Sequence, residues 1–254
     1  MFLGLGPNKR RYEGVTRTLM LLRRELFATF RSPLGAVVMA GALLAEGIFF
    51  YYSALTEKLL SAEVLERFFY DASGVTMIAA VVLGMRLLAE ERQTGTMTLL
   101  NTAPIRDHEI VLGKFLAAFL VILLTTVLSL YMPLLIFVHG KVSVGHILVG
   151  TLGLLLLGAA TTSIGLFASA LSRSQVVAAL LGAVMTGGLL LFWILAKAVD
   201  PPLNELFGAL ALHHENFRPF MAGTLNLGST AYYLAVTYFF LLAATKTLEA
   251  RRWR

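Results

Sequence analysis

Six continuous apolar runs dominate the chain, at 34–55, 72–89, 113–138, 147–171, 176–198 and 229–245. Each approaches or exceeds the roughly 20 residues of helix needed to cross a hydrocarbon core. Their apolar positions are continuous and not alternating, which predicts membrane-spanning helices and argues against a barrel. Ahead of the first run, Val15, Leu19, Leu22, Leu26 and Phe30 recur at helical spacing, with Arg17, Arg24 and Arg31 on another face and Arg23 beside them. This predicts an amphipathic helix over 15–31. Ser32-Pro33 then supplies a cap and a first-turn proline for a new helix at a different angle.

The polar interruption between the second and third runs has an internal order: Arg86-Leu-Leu-Ala-Glu90-Glu91-Arg92-Gln-Thr-Gly95-Thr96-Met-Thr-Leu-Leu-Asn101-Thr-Ala-Pro104. The second span should end in Glu90, Glu91 and Arg92, and Gly95 should break it. One or two helical turns are expected over 96–101, carrying Thr96, Thr98, Leu99 and Leu100, before Pro104 stops them. A short capped element of this kind suits contact with a soluble partner and contains no catalytic constellation. The segments on the other side of the bundle are uneven. About 16 residues with Glu57, Glu63 and Glu66 separate the first two spans, and His139 to His146 separates the third from the fourth. The stretch 199–228 is long for a plain connector. After Pro201-Pro202 it holds an apolar face of Leu203, Leu206, Phe207 and Leu210, then a polar knot at His213-His214-Glu215-Asn216, then a second apolar piece over 217–227. Two short re-entrant helices are the expectation, with an ordinary surface loop as the alternative.

Composition agrees with an all-α integral membrane protein. Hydrophobic residues make up 57% of the chain, against roughly 45–50% for soluble domains, and the mean hydropathy is +0.77. Residues 1–6 are too short for an apolar signal core and precede Lys9, Arg10 and Arg11, so the first span is expected to direct its own insertion. With both termini in the cytoplasm, 16 of the 21 lysines and arginines fall on the cytoplasmic side and 5 outside, as the positive-inside rule requires. The net charge of +6 is therefore a topology signal, and basic residues scattered over four short segments make no nucleic-acid face. The absence of cysteine excludes disulfides, thiol catalysis and thiolate metal sites. A single transmembrane permease domain over 1–254 is expected: an interfacial helix in 1–32, a six-span bundle over 34–245 and a basic tail over 246–254.

The segment Gly84 to Pro104, followed by Glu109-Ile-Val-Leu-Gly-Lys-Phe-Leu116, resembles the second-to-third-span region of type-2 ABC transporter permeases, and within them the gliding-motility (GldF-like) branch. Arg24-Glu25-Leu26 with Ser32-Pro33, the run Gly165 to Ser172 with Gln175, and the ending Leu248 to Arg254 extend the likeness over nearly the whole chain. Thr98 stands where that pattern usually carries an acidic residue. The resemblance implies a dimer of two copies, or of this chain with a related permease, each resting on a separate ABC ATPase subunit that binds ATP and Mg. It further implies that the segment after Glu90-Glu91-Arg92 seats on that ATPase. No cofactor is expected on this chain. Gly113-Lys114 and Gly140-Lys141 are the two Gly-Lys pairs, and neither has the preceding glycine or following Ser/Thr of a phosphate-binding loop.

Other residues have two readings. Glu46, inside the first span, is either a pathway group facing a wet cavity or a neutral carboxyl bonded to a neighbouring helix. Arg86 either snorkels or pairs with Glu90 one turn on. Lys197 and Asp200 look like interface anchors, and Ala178, Gly182 and Thr186 form a small-residue packing ridge. His213, His214 and Glu215 are adjacent and lack the spacing of a metal site. The expected function is the inner-membrane permease subunit of an ATP-driven exporter working by alternating access, with no enzymatic activity of its own. The alternative is a mechanotransmission or anchoring subunit that drives an extracytoplasmic partner without passing a substrate, for which an auxiliary subunit with an extracytoplasmic domain would be needed. An ion-coupled carrier is disfavoured because Glu46 alone is expected to offer a buried titratable group.

Overall fold

The structure, a computed structural model, describes residues 7–55, 60–102, 105–139 and 142–252. Among them the chain forms helices α1 (Pro7–Arg31), α2 (Pro33–Phe49, continued by a π-helical turn, Phe50–Leu55), α3 (Ser61–Gln93), α4 (Met97–Thr102), α5 (Asp107–Ser129) and α6 (Tyr131–His139). They continue as α7 (Val144–Leu171), α8 (Gln175–Ala198), α9 (Leu203–Leu210), α10 (His214–Met221) and α11 (Leu227–Arg252). Six helical stretches are long and apolar enough to span a membrane: Pro33–Tyr52, Ser61–Gln93, Asp107–Val138, Val144–Leu171, Gln175–Ala198 and Leu227–Arg251. The protein is an all-α integral membrane protein.

Serine caps start three of these helices. The hydroxyls of Ser32, Ser143 and Ser174 accept the backbone N–H of Gly35, His146 and Val177, each satisfying an otherwise orphan donor. The spans then separate into two classes. The apolar windows of α3, α5 and α7 are 72%, 61% and 61% buried, whereas those of α2, α8 and α11 are 22%, 17% and 17% buried. Three helices thus form the interior and three lie around it. Small residues set the closest approach: a Cβ on Gly84 of α3 would fall 2.8 Å from Gly165 Cα of α7, which leaves no room for a methyl group. One turn on, the Ser169 hydroxyl of α7 donates to the Met85 carbonyl and accepts from Leu88 and Ala89 N–H, locking the two backbones together. Ala178, Gly182 and Thr186 are the buried residues of α8, as their spacing suggested.

Several expected boundaries move. The second span begins at Ser61, so Glu63 and Glu66 lie in helix; Glu57 lies outside the described residues. The Glu63 carboxylate accepts the Leu60 N–H, and Leu65, Phe68, Phe69 and Ala72 continue the buried face of α3. The third span starts at Asp107 and is interrupted at Leu130, whose N–H bonds only three residues back to Val127. Pro133 has no N–H to offer the Ser129 carbonyl, which explains the break. The amphipathic helix is longer than expected. Leu19 and Phe30 of the expected apolar stripe are exposed, and Leu21 is the buried residue that meets α5. The long connector holds two short helices, and its polar knot forms the start of the second. His214, Glu215 and Asn216 form the first turn of α10, where Asn216 donates to the Ala209 and Ala211 carbonyls and so closes the end of α9. The second apolar piece ends at Met221, and Gly223, at φ +71°, turns the chain toward α11.

Two hydrophobic cores fill the bundle. At one end Leu83, Leu87, Leu88, Ile110, Val111 and Val121 pack with small residues, an aliphatic core. At the other, Phe50, Phe68, Phe69, Phe217, Phe220 and Tyr233 form an aromatic one.

Candidate coupling site

The aliphatic end carries the charged motif. Glu90 takes a fork from Arg86 (2.8 and 3.2 Å), and the same guanidinium donates to the Ser32 hydroxyl at 3.0 Å. Arg86 is therefore paired, and it joins α3 to the start of α2. Glu91 turns the other way. Its Oε1 lies 2.9 Å from the Arg24 guanidinium of α1 and 3.0 Å from Lys114 Nζ of α5, and Lys114 also reaches Glu25 Oε1 at 3.1 Å. Arg92 points into the bundle, donating at 2.6 Å to both the Ala170 and Ser172 carbonyls and so satisfying the last turn of α7. A cleft of about 200 Å³ opens beside these groups, lined among others by Glu25, Arg86, Glu90, Thr94 and Thr96.

Beyond this braced end the chain turns at Gly95, whose φ of +74° is the left-handed conformation that glycine alone adopts without cost. Nothing lies within 4 Å of where its Cβ would be, so backbone conformation and not space demands the glycine. Thr94, Gly95, Thr96 and Thr98 are exposed. Thr98 donates to the Gly95 carbonyl at 2.9 Å, bracing the first turn of α4, which begins one residue later than expected. Met97 and Ile105 hold α4 to the aliphatic core. Of the remaining expected residues here, the side chains of Leu99 and Leu100, and the whole of Pro104, lie outside the described residues. On α1, Arg23 and Arg31 both lie over the Phe27 ring (5.6 and 5.9 Å), Arg24 is drawn to Glu91, and Arg17 is half-buried. Glu46 is 3% exposed, with its carboxyl toward Ser129 of α5.

Lys114 is the residue that sequence reasoning missed. In the sequence it counts as a cytoplasmic charge, as part of the Glu109–Leu116 resemblance and as half of a Gly-Lys pair that cannot be a phosphate-binding loop, with no packing role. The sequence places it at the very start of the run 113–138; the start of α5 at Asp107 puts it two turns into the span, where a cation is expensive enough to demand partners.

The aromatic end holds a different site. The Ser73 hydroxyl donates to the Tyr70 carbonyl at 2.6 Å and lies 2.7 Å from His213 Nε2. Because a serine has one proton and the Tyr70 carbonyl takes it, His213 is the donor in the second bond. That polarity removes Ser73–His213 as a nucleophile–base pair. Burial and neighbouring His214 lower the His213 pKa to about 4. Lys197 covers the Trp193 ring at 4.3 Å, and His214 stacks on that ring. Among the described residues no group of three or more His, Cys, Asp or Glu is placed to hold a metal.

This architecture matches a known family model, described as ABC-2 family transporter protein, over residues 33–244. The chain belongs to the ABC-2 transporter family. A 106-residue stretch is also 37% identical to the Inner membrane transport permease YhhJ of Escherichia coli (strain K12), and equally to that of Shigella flexneri. It takes in 41% of this chain and 27% of each relative, so the match spans only about a quarter of their length. As an ABC-2 permease component, the protein is a multi-pass membrane protein. Its family match includes Glu91 and Lys114 but begins after Arg24 and Glu25, so the ion cluster ties the family-defined bundle to a helix outside it.

Proposed function

We propose that this ABC-2 chain is the inner-membrane permease subunit of an ATP-driven exporter of the GldF-like branch, forming one six-span domain that works as a dimer with a second copy or a related permease. α4 and the turn at Gly95 seat on a separate ATPase subunit, which binds ATP and Mg. Closure of two such ATPases on ATP pushes α4, and the spans alternate access to the two sides. Both termini lie in the cytoplasm under this reading, α1 rests on the inner surface of the bilayer with Arg17, Arg23 and Arg31 toward it, and α9 and α10 dip into the outer leaflet.

The observation that carries this reading is the contrast within a few residues of α3 and α4. The end of α3 is held by Arg86, Ser169, Arg24 and Lys114, while Thr94, Gly95, Thr96 and Thr98 stand exposed immediately beyond it. A rigid lever with an exposed tip transmits force; a lipid-facing loop has no use for such bracing. The native absence of cysteine makes the test clean. A cysteine introduced by Thr98→Cys should be labelled only from the cytoplasmic side and should cross-link to the co-expressed ATPase. Labelling from outside intact cells would overturn topology and coupling together.

A further inference from the structure

Lys114 braces the end of α3 without belonging to the exposed tip, and among the described residues it is the most completely enclosed charge at that end, 1% exposed. Its ammonium bridges two carboxylates from different helices, Glu25 on α1 and Glu91 on α3, while its own backbone belongs to α5. The neighbouring Gly113 permits this: a Cβ there would lie 2.9 Å from Leu21 Cβ, so the glycine lets α1 approach closely enough for Glu25 to reach in. Arg24 completes a neutral set of two cations and two anions. The set is not saturated, since Glu91 Oε2 is buried without a hydrogen-bond partner.

Buried ion clusters of this kind contribute little net stability relative to apolar packing of the same volume; their best-attested use is to specify register. Here the register concerns α1 against the last turn of α3. Glu91 lies four residues before the Gly95 turn, so whatever orients Glu91 orients the departure of α4. The unsatisfied oxygen gives the ammonium a second place to bond without leaving the cluster, as a relay between two arrangements requires.

We infer that Lys114 is a positioning residue. Its charge, shared between Glu25 and Glu91, sets the angle of α1 relative to the end of α3, and through that link movement of α4 reaches α1 and α5. The second half of this statement rests on the proposed seat of α4 on an ATPase; the first half does not.

Spin labels at Met20→Cys and Gln93→Cys, both exposed positions outside the cluster, report the α1–α3 distance in the permease alone, in nanodiscs. ATP turnover is measured in parallel on the complex with its ATPase. The neutral triple variant Lys114→Met/Glu25→Gln/Glu91→Gln removes every charge that meets at Lys114 and should fold. It is expected to broaden or shift the distance distribution and to weaken the permease's control of ATP turnover about tenfold. Glu25→Gln, which leaves Lys114 paired with Glu91, is the milder variant should the triple one fail to assemble, and is expected to loosen the same distance. Lys114→Arg, which keeps the charge, should retain a single distance and near-normal turnover. An unchanged distance in the neutral variants overturns the positioning role, whatever the ATPase does. A changed distance with unchanged turnover supports positioning and overturns the relay of α4 movement through Lys114, while failure of the Thr98→Cys cross-link would overturn the seat of α4 itself.

Discussion

The two ends of the bundle solve the same problem by different chemistry. At the Lys114 end an aliphatic core is closed by ion pairs among α1, α3 and α5 and by guanidinium groups on helix carbonyls. At the His213 end an aromatic core is closed by hydroxyl and ring N–H donors: His213 to Ser73, Tyr233 to the Leu212 carbonyl, Tyr232 to the Leu210 carbonyl and His146 to the Met221 carbonyl. The difference follows from what each end must hold. Long helices ending together can exchange charges across their termini, and the pairing selects one register. Short helices such as α9 and α10 expose many terminal carbonyls per residue, and hydroxyl and ring N–H groups supply donors without bringing in charge. One end is therefore expected to be sensitive to which charges are present, the other to whether a single imidazole stays neutral.

The largest effect should come from splitting the ion cluster. Lys114→Met leaves Glu25 and Glu91 with Arg24 as their shared cation, and should destabilise the detergent-solubilised protein by about 3–5 kcal/mol. Thermal unfolding followed by circular dichroism measures this; a loss no larger than that of an exposed lysine such as Lys246 would erase the contrast between the ends. At the opposite end, the unfolded chain binds a proton on His213 below pH 6.5, whereas the folded chain does so only near pH 4. Stability from the neutral imidazole is thus complete above pH 6.5 and is lost progressively as pH falls toward 4, by on the order of 2 kcal/mol. His213→Gln should flatten that part of the pH profile, and an unaltered profile would remove His213 as its source. Ser32→Ala deletes a helix cap and the third contact of Arg86, a cost of about 1 kcal/mol in denaturant titrations, and it should loosen the charged end alone. The smallest effect is expected between the two cores. Glu46→Gln keeps shape and hydrogen bonding and should change stability by less than about 1 kcal/mol, whereas Glu46→Leu should cost about 1–3 kcal/mol. Loss of transport in a stable Glu46→Gln permease would return that residue to the pathway.

Much of this architecture was legible in the amino-acid order. Span number followed from apolar runs of membrane length, and the helix break followed from Gly95, a residue whose type reports its backbone conformation. Ser32-Pro33 and the Ala178, Gly182, Thr186 ridge were readable because caps and packing stripes are local patterns. What escaped was nonlocal. The buried face of α1 is chosen by Gly113 on another helix, so Leu21 and not the Leu19/Phe30 stripe turns inward. Lys114 acquires its meaning only when Glu25 and Glu91, 89 and 23 residues earlier in the chain, are brought beside it. The polar knot at 213–216 carries no local signal of its partner, because nothing adjacent in sequence announces that Ser73 will meet His213.

The order of those three charged residues along the chain also bears on biosynthesis. Glu25 and Glu91 both precede Lys114 in the chain, so the two carboxylates, with Arg24, are synthesised before the lysine that joins them. The reverse order would have obliged a lone ammonium to stay at the bilayer boundary until its partners were made.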